Sequence, residues 1–512
     1  MTTDSGADQG EGLLDRVRQL CGQAADRLPA GPAALVRQAA GSLGEPLRLA
    51  FVDRVSSGKS TLVNGYLGRL LAPTDEGECT KVVTSFRFGP ADRAQACLHD
   101  GSVLPVPLDP GGTLPSKLDV EVDEIRSIEV ELSLEVLRDT TIIDTPGLNS
   151  VHDENSSRTH DELGISARGN DARGNDARGI DPESRSAAAT ADAVLFVLNA
   201  TAHDDERMVL REFRGVSLGL HAAPSNAVGL LTKADEVTMD DDPWAAAVGL
   251  AARQSRQLGR DVATVLPVIG LLAETAEARF TESDAAAIRG LAALGQQDRE
   301  VMLLSAQYFT GFDSAVDPAS RERLYTMLRP HGLRRLLAAA DEGASGPAMV
   351  EALRQCSGMA AVRAEIDRRF RARAVALKAA KALAAMAAAV SSAEVDHSTR
   401  AWATGAIDDL GLDPVMHGLE ELRALSLVSS GAALLPRAQL DEAARVLAET
   451  RTDRRLGLPG AGRDALLAAA HQGVQRWTAI ANTAISPRAR DVARVITRSL
   501  DLECDRLGGE QP

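Results

Sequence analysis

The sequence predicts an α/β domain, a mostly parallel sheet with helices on both faces, followed by an all-α region. Two observations carry this expectation. Up to about residue 275, short apolar and β-branched runs alternate with helical patterns, as in a sheet covered on both sides. Beyond that point strand patterns stop, and the chain turns Ala-, Leu- and Arg-rich with helical spacing. The chain has 512 residues, 44% hydrophobic and 25% charged, which excludes wholesale disorder and leaves room for several domains. With 3 Trp, 3 Tyr and 9 Phe, the cores must be aliphatic. A formal net charge of -16 gives no bulk field to attract nucleic acid, and no nucleic-acid partner is expected.

Taken in order, residues 1–11 read as a disordered tail. Leu13, Val17, Leu20, Ala24 and Leu28 then share one helical face, with Asp15, Arg16, Gln19, Gln23 and Asp26 on the other. Gly31-Pro32 interrupts, and a second short helix runs from near Leu35 toward Gly41. The predicted strands are 47–52, 82–88, 94–98, 103–106, 128–132, 140–143, 193–199, 227–231 and 264–269. The third and fourth flank the turn pair Asp100-Gly101. Ser60 to Leu71 reads as the helix after the first strand.

Residues 167–181 hold the units ARGND, ARGND and ARGID. An Arg-Gly tract can bind nucleic acid, but each Arg here is matched by an Asp and no aromatic is interleaved. The segment near 150–190 therefore reads as a disordered polar insertion in a surface loop. Pro and Gly clusters near 328–332, 343–347, 411–414 and 457–462 divide the C-terminal half into several helices. No run reads as a membrane span, no signal peptide is apparent, and the scattered cysteines form no CxxC. A cytoplasmic chain without a disulfide framework or zinc site is expected.

Residues 53–61 read DRVSSGKST, directly after a strand and opening a helix, which is the context of a P-loop. The backbone N–H groups of the loop, Ser57 and Gly58 through Thr61, would wrap phosphates, aided by the helix dipole. Lys59 would reach the β- and γ-phosphates, and the Ser60 hydroxyl would ligate Mg²⁺. Asp53 stands where the motif has its leading Gly, which brings a carboxylate near the phosphates. Residues 141–147 read TIIDTPG, a strand ending in DxxG. Asp144 is expected to hold Mg²⁺ through a water, and Gly147 to donate its N–H to the γ-phosphate.

Residues 230–235 read LLTKAD, matching the [NT]KxD signature of guanine selectivity through Thr232, Lys233 and Asp235. The Asp235 carboxylate can accept from guanine N1–H and the 2-amino group, which adenine cannot offer. The stem of Lys233 would cover the base. Ile269 marks a fifth base-contacting loop at the end of the last strand. Thr80 is the candidate switch I threonine, placed to meet Mg²⁺ and the attacking water; an ordinary loop Thr is the alternative. Each motif follows the C-terminal end of a predicted strand, where open α/β sheets bind ligands. Only six lysines occur against fifty arginines, and two of the six fall on the positions that need one. The motifs together specify an α/β P-loop GTPase domain.

LRLAFVDRVSSGKSTLVNGYLG, LAPTDEGECTKVVTSFRFGP and DTTIIDTPG resemble bacterial dynamin-like GTPases, and within them the actinobacterial group of isoniazid-inducible proteins. The similarity continues through DAVLFVLNATAHDDE, VLPVIGLLAETA and RRFRARAVALKAAKALAAM, spanning most of residues 45–440. The resemblance implies a GTPase head over 46–280 and a helical trunk and neck over 281–512, with N-terminal helices 12–45 joining the neck. It implies GTP-driven head-to-head dimerisation, as a homodimer or with a second dynamin-like chain. It also implies peripheral work on the anionic inner face of the cell membrane, as fission, fusion or septum support. Ser56 matches the family's serine that coordinates a charge-compensating monovalent cation, K⁺ or Na⁺. Val55 replaces the Gln that helps position water in eukaryotic dynamins, and Leu148 agrees with the family's lack of a Ras-type Gln. The expected catalytic groups are Lys59, Ser56 and Thr80, with Ser60, Thr80 and Asp144 at Mg²⁺ and GTP or GDP as ligand. The rival readings are a regulatory switch with protein effectors and a non-hydrolysing GTP-binding scaffold paired with a second chain.

Two segments bear on membrane contact. Arg423 and Arg437 bracket ALSLVSSGAALLP, which suits either a trunk-tip loop dipping into the interface or a buried helix–loop. Arg368 to Ala393 contains no acid and six basic residues, the composition of an anionic-lipid patch. Its two apolar sides, Ile366, Phe370 and Leu377 against Leu383, Met386 and Val390, favour a trunk core element instead.

Overall fold

The computed structural model describes residues 4–53, 58–72, 81–109, 111–146, 190–200, 226–238, 242–259 and 261–509. Ser56, Ser57, Thr80, Gly147, Val55, Leu148 and the repeat at 167–181 lie outside the described residues. The centre is a nine-stranded sheet: β1 Leu47–Val52, β2 Thr84–Phe88, β3 Arg93–Leu98, β4 Val103–Val106, β5 Ile125–Leu132, β6 Thr140–Asp144, β7 Ala193–Leu198, β8 Ala227–Leu231 and β9 Val265–Pro267. Each lies where a strand was predicted. Their order is β4-β3-β5-β2-β6-β1-β7-β8-β9.

Five of the eight strand pairings are parallel, and β2–β6, β3–β5 and the β3–β4 hairpin are antiparallel. The hairpin turn uses Gly101 at φ 88°, a left-handed conformation that glycine adopts without steric cost. Alternation along β1 sends Leu47, Leu49 and Phe51 to one face and Ala50 and Val52 to the other. The first face is covered by the Lys59–Leu67 and Met359–Arg369 helices through Leu62, Tyr66, Val362 and Ile366. The second is covered by helices Pro243–Gln257, Glu282–Ala292, Pro318–Asp341 and Gly346–Cys356.

Packing against the sheet includes helices beyond residue 280. Ile288, Leu324 and Leu353 share one core with Val52 and Phe196, and Ile366 and Phe370 share the other with Phe51. A helical pattern specifies a buried face but not the surface it meets, so the sequence alone does not show this contact.

At the N-terminal ends of the strands, helices Asp4–Ala25, Ala30–Gly41, Ala374–Val390 and His397–Gly411 share a third core containing Leu13, Val17, Val36, Leu383 and Met386. The N-terminal helices thus pack with later ones. The first helix begins at Asp4, inside the segment expected to be a tail. Its inner end docks because Gly10 lets it approach Val375: a Cβ there would lie 3.2 Å from Val375 Cγ2.

The C-terminal helices His417–Ser429, Arg437–Ala448, Arg463–Thr483 and Pro487–Gly509 enclose a fourth core around Leu425, Val446, Trp477 and Ile496. The uncharged segment 424–436 belongs to it. Ala424, Leu425 and Ala433 are buried, and Ser430 Cβ lies 3.4 Å from where a Cβ on Gly259 would stand. The helical part of the segment is thus interior, while its loop is partly open, with Leu434 76% exposed. The basic run is engaged with the fold and partly interior: Arg369 and Arg373 are buried, Lys378 donates to the Glu45 carbonyl, and Lys381 donates to Ala191 O at 3.1 Å. Among the described residues no helix is long and apolar enough to cross a membrane.

Candidate functional site

The turn after β1 sets the site. Gly58 adopts φ 85° and starts the Lys59–Leu67 helix, its carbonyl accepting from Leu62 N–H at 3.0 Å. The side chain of Lys59 forms a buried ion pair with Asp144 at the end of β6. Parallel pairing places Phe51 opposite Asp144, so the two motifs leave the sheet side by side. The following Thr145 is tied to β1 by its hydroxyl, which donates to Phe51 O at 3.0 Å. The Ser60 hydroxyl lies near enough to the Asp144 carboxylate to favour its charged form.

Asp53, 2% exposed, adds a second carboxylate beside Lys59. Burial alone would lower the Lys59 pKa, but Asp144 and Asp53 together outweigh it and hold it above its ordinary value. The ammonium therefore stays charged. Burial pushes the Asp144 carboxyl up, against the pull of Lys59, and Asp53 adds to that push by repulsion.

The second part of the site follows β8. Thr232 is buried, and its hydroxyl donates to Leu198 O at 3.2 Å, anchoring the loop to the end of β7. Lys233 takes a left-handed backbone at φ 50°, and its side chain is exposed. That twist opens the short 3₁₀ turn Ala234–Glu236, which carries Asp235. Burial raises the Asp235 pKa, with Glu236 adding repulsion and Arg329 opposing it. β1 and β8 are separated by β7 alone, two strand spacings or about 10 Å. A nucleoside triphosphate is long enough to span such a gap.

The structure therefore brings Gly58, Lys59, Ser60, Thr61 and Asp144 together at one strand end, and sets Thr232, Lys233 and Asp235 beside them. Ile269 is placed differently. Its side chain is 2% exposed within the core, and its N–H donates to Ser357 O at 2.8 Å, so only its backbone stands near the expected fifth loop. Ser60 and Asp144 offer hard oxygen donors side by side, which fits Mg²⁺, an ion that keeps most of its shell as water and phosphate oxygens.

Three residues escape a motif search. Asn64, fully buried in the helix after the loop, donates to Ala72 O at 3.0 Å and Glu274 Oε2 at 2.9 Å. Its Oδ1 accepts from Leu71 N–H at 3.0 Å and Ala72 N–H at 2.9 Å, fixing the exit toward the switch I segment. An Asn in a helix interior, where its propensity is poor, was the available signal. Arg363 donates to Gly65 O at 3.1 Å and Tyr66 O at 3.0 Å, capping the end of the same helix. Arg329, at φ 52° before Pro330, lends its charge to Asp235. The sequence gives no local sign of either arginine's partner.

The chain is similar to several known proteins. A Dynamin family profile matches residues 49–211. The chain is 31% identical over 444 residues to isoniazid-induced protein IniC of Mycobacterium tuberculosis, covering 85% of each chain. It is 30% identical over 122 residues to dynamin-like protein 2 of Campylobacter jejuni, 24% of this chain and 20% of that one. A chain of a solved oligomerised bacterial dynamin pair, described in terms of long-range sensing and tethering of membranes, overlays with TM-score 0.31 at 13% identity, over 96% of this chain and 92% of the other. At that score no residue correspondence is drawn. By its sequence similarity to IniC along most of both chains, the protein belongs to the bacterial dynamin-like proteins of the IniC group.

Proposed function

We propose that this chain is a Mg²⁺-dependent GTPase whose nucleotide state drives work at a membrane surface. The observation that carries the reading is the buried Lys59–Asp144 pair at the ends of β1 and β6, with Asp235 two strands away. In this reading Lys59 turns from Asp144 to the β- and γ-phosphates. Gly58, Ser60 and Thr61 present backbone N–H groups to the same phosphates. Ser60 and Asp144 hold the Mg²⁺, which supplies charge neutralisation at the phosphates. Asp235 reads guanine under the stem of Lys233. Ser56 with a monovalent cation, Thr80 and Gly147 complete the assignment from sequence. Water is the nucleophile, and stabilisation of charge on the β–γ bridge is the main catalytic term.

A route from nucleotide to trunk supports the coupling. Arg363 caps the helix after the phosphate loop, and Arg371 donates to Tyr66 Oη at 3.2 Å and Thr140 Oγ1 at 3.0 Å. Two residues on, Arg373 pairs with Glu421 of the C-terminal helices at 3.2 Å. One short stretch of chain thus grips both the nucleotide helix and the trunk. We infer a head reaching to about residue 370, a neck built from the N-terminal helices with 374–411, and a trunk beyond. Head-to-head dimerisation with a second copy or a paired chain, and peripheral contact with anionic membrane, belong to the same proposal.

A second reading, a GTP-binding scaffold with slow turnover, is favoured by Asp53, whose buried carboxylate competes with phosphate for Lys59. Phosphate release measured with Mg²⁺ and K⁺, with and without anionic liposomes, separates the two. Lipid-stimulated turnover that Lys59→Ala abolishes supports the GTPase. Tight GTP binding without phosphate release, in K⁺ and with lipid present, supports the scaffold.

A further inference from the structure

Among the described residues, two with a side chain take a left-handed backbone: Lys233 at φ 50° and Arg329 at φ 52°. Each carries a cation that favours the charged form of Asp235. Lys233 belongs to the TKAD motif. Arg329 lies far along the chain, where it breaks the Pro318–Asp341 helix ahead of Pro330. A left-handed backbone is unfavourable for a residue with a Cβ and persists where the surroundings impose it, most often at functional sites.

The surroundings here belong to the base side of the site. Met327 O accepts from the hydroxyl of buried Thr275 at 2.9 Å, and Leu328 and Leu333 on either side of the break are buried. Gly332 brings the helix against Leu272, since a Cβ there would lie 2.6 Å from Leu272 Cδ2. Leu272 and Thr275 belong to the Gly270–Glu274 helix and the turn after it, directly beyond Ile269. Tyr325 and Leu328 also pack in one core with Ala234 and Val237, which bracket Asp235. The backbone of Arg329 is thus held in place while its side chain is exposed. Its guanidinium carbon stands 6.0 Å from the Tyr325 ring centroid, and among the described residues it forms no ion pair.

The donors that the base-reading loops place here are already used. The Thr232 hydroxyl donates to Leu198 O at 3.2 Å, and the Ile269 N–H to Ser357 O at 2.8 Å. Asp235, when ionised, only accepts, and the Lys233 stem is assigned to the plane of the base. Guanine nevertheless presents two acceptors, O6 and N7, beside the donors that Asp235 would read. We propose that Arg329 donates to O6 and N7 of guanine and is a specificity-determining residue of the nucleotide site. Adenine would turn its 6-amino donor toward the same guanidinium, so the residue favours guanine from the edge that Asp235 does not read. This inference rests on the reading of the site as one for guanine nucleotides.

The test is titration of the full chain, in Mg²⁺, with GDP and with 7-deaza-GDP, in which carbon replaces N7. The wild type should bind the 7-deaza nucleotide about tenfold more weakly. Arg329→Gly, whose residue suits the left-handed backbone, should keep its thermal midpoint, bind GDP at least tenfold more weakly and no longer separate the two nucleotides. Arg329→Met, of similar length and without a donor, should lose the same discrimination, and it decides alone if the Gly variant does not keep its fold. Equal binding of the two nucleotides by the wild type overturns the proposal and leaves the guanine reading standing. Discrimination undiminished in the folded variants does the same. Absence of GDP binding by the wild type overturns the guanine reading and this inference with it.

Discussion

Lys59 and Asp144, 85 residues apart in the chain, meet as a buried ion pair where two parallel neighbours in the sheet end together. Each motif supplies one half: the phosphate loop its cation, the DxxG strand its carboxylate. In the proposed reading, a phosphate bound at this strand end would compete with Asp144 for the ammonium, and the pair would be the point at which nucleotide rearranges the site.

Asp53 sharpens that competition. It is buried beside Lys59 and helps to keep the ammonium charged, so it attracts the same group the phosphates need. Asp53→Asn keeps the shape and removes the charge. A non-hydrolysable GTP analogue should bind the variant about tenfold more tightly, equivalent to about 1.4 kcal/mol. Because the carboxylate is buried, the gain should change little with salt, unlike that of an exposed charge. Titrations at low and high ionic strength check both parts.

Asp235 predicts a pH dependence. Recognition of guanine needs the carboxylate, and burial raises its pKa above the ordinary 3.8. As pH falls through that raised value the carboxyl gains its proton and guanine preference fades, at a higher pH than for an exposed aspartate. Asp235→Asn should lose about tenfold or more in GTP affinity at neutral pH and show a flatter pH profile. Competition between GTP and ATP analogues, from neutral to mildly acidic buffer, measures it.

Glu421 makes the packing of the C-terminal helices acid-sensitive. It pairs with Arg455 and, at 3.2 Å, with Arg373, all three buried. Burial pushes its pKa up, but the two guanidiniums prevail and hold it below the usual 4.5. Its contribution is therefore present above that value and lost as pH falls through the lower folded one. Glu421→Gln leaves buried Arg373 without its anion, while Arg455 keeps Glu503 at 3.4 Å, and should cost about 3 kcal/mol at neutral pH. Denaturant unfolding of both proteins at neutral and acid pH should show the gap closing in acid.

Gly65 sets how closely the phosphate-loop helix meets the next layer. A Cβ there would lie 2.9 Å from Ala273 Cβ and 3.1 Å from Glu274 N. Gly65→Ala should destabilise the protein by about 1–3 kcal/mol. It should also weaken nucleotide binding, because the helix carrying Lys59 must shift. Thermal unfolding and analogue titration on one sample separate the two effects.

Local pattern made the sheet and its loops legible. LRLAFV is buried on both faces of the sheet, and the glycine that must turn left-handed is the one the P-loop motif supplies. What stayed hidden is where distant faces meet. The pattern around Leu324 and Leu353 announces helices but not that they cover Phe196. The two apolar sides of the basic run near Arg369 favour a core element, but the pattern does not show that a guanidinium itself goes inside, since arginine is seldom buried; Arg369 is 0% exposed and pairs with Glu365. Asp53 read as a simple departure from the motif; only its burial beside Lys59 shows it to be part of the charge balance.

That the ends of β1, β6 and β8 form one guanine-nucleotide site is tested most directly by displacing a fluorescent GTP analogue, in Mg²⁺, with unlabelled GTP or ATP from the wild type and from Lys59→Ala. GTP should displace the analogue from the wild type while ATP does not, and Lys59→Ala should retain its fold and bind neither. Equal displacement by ATP, or undiminished binding to Lys59→Ala, would contradict the account.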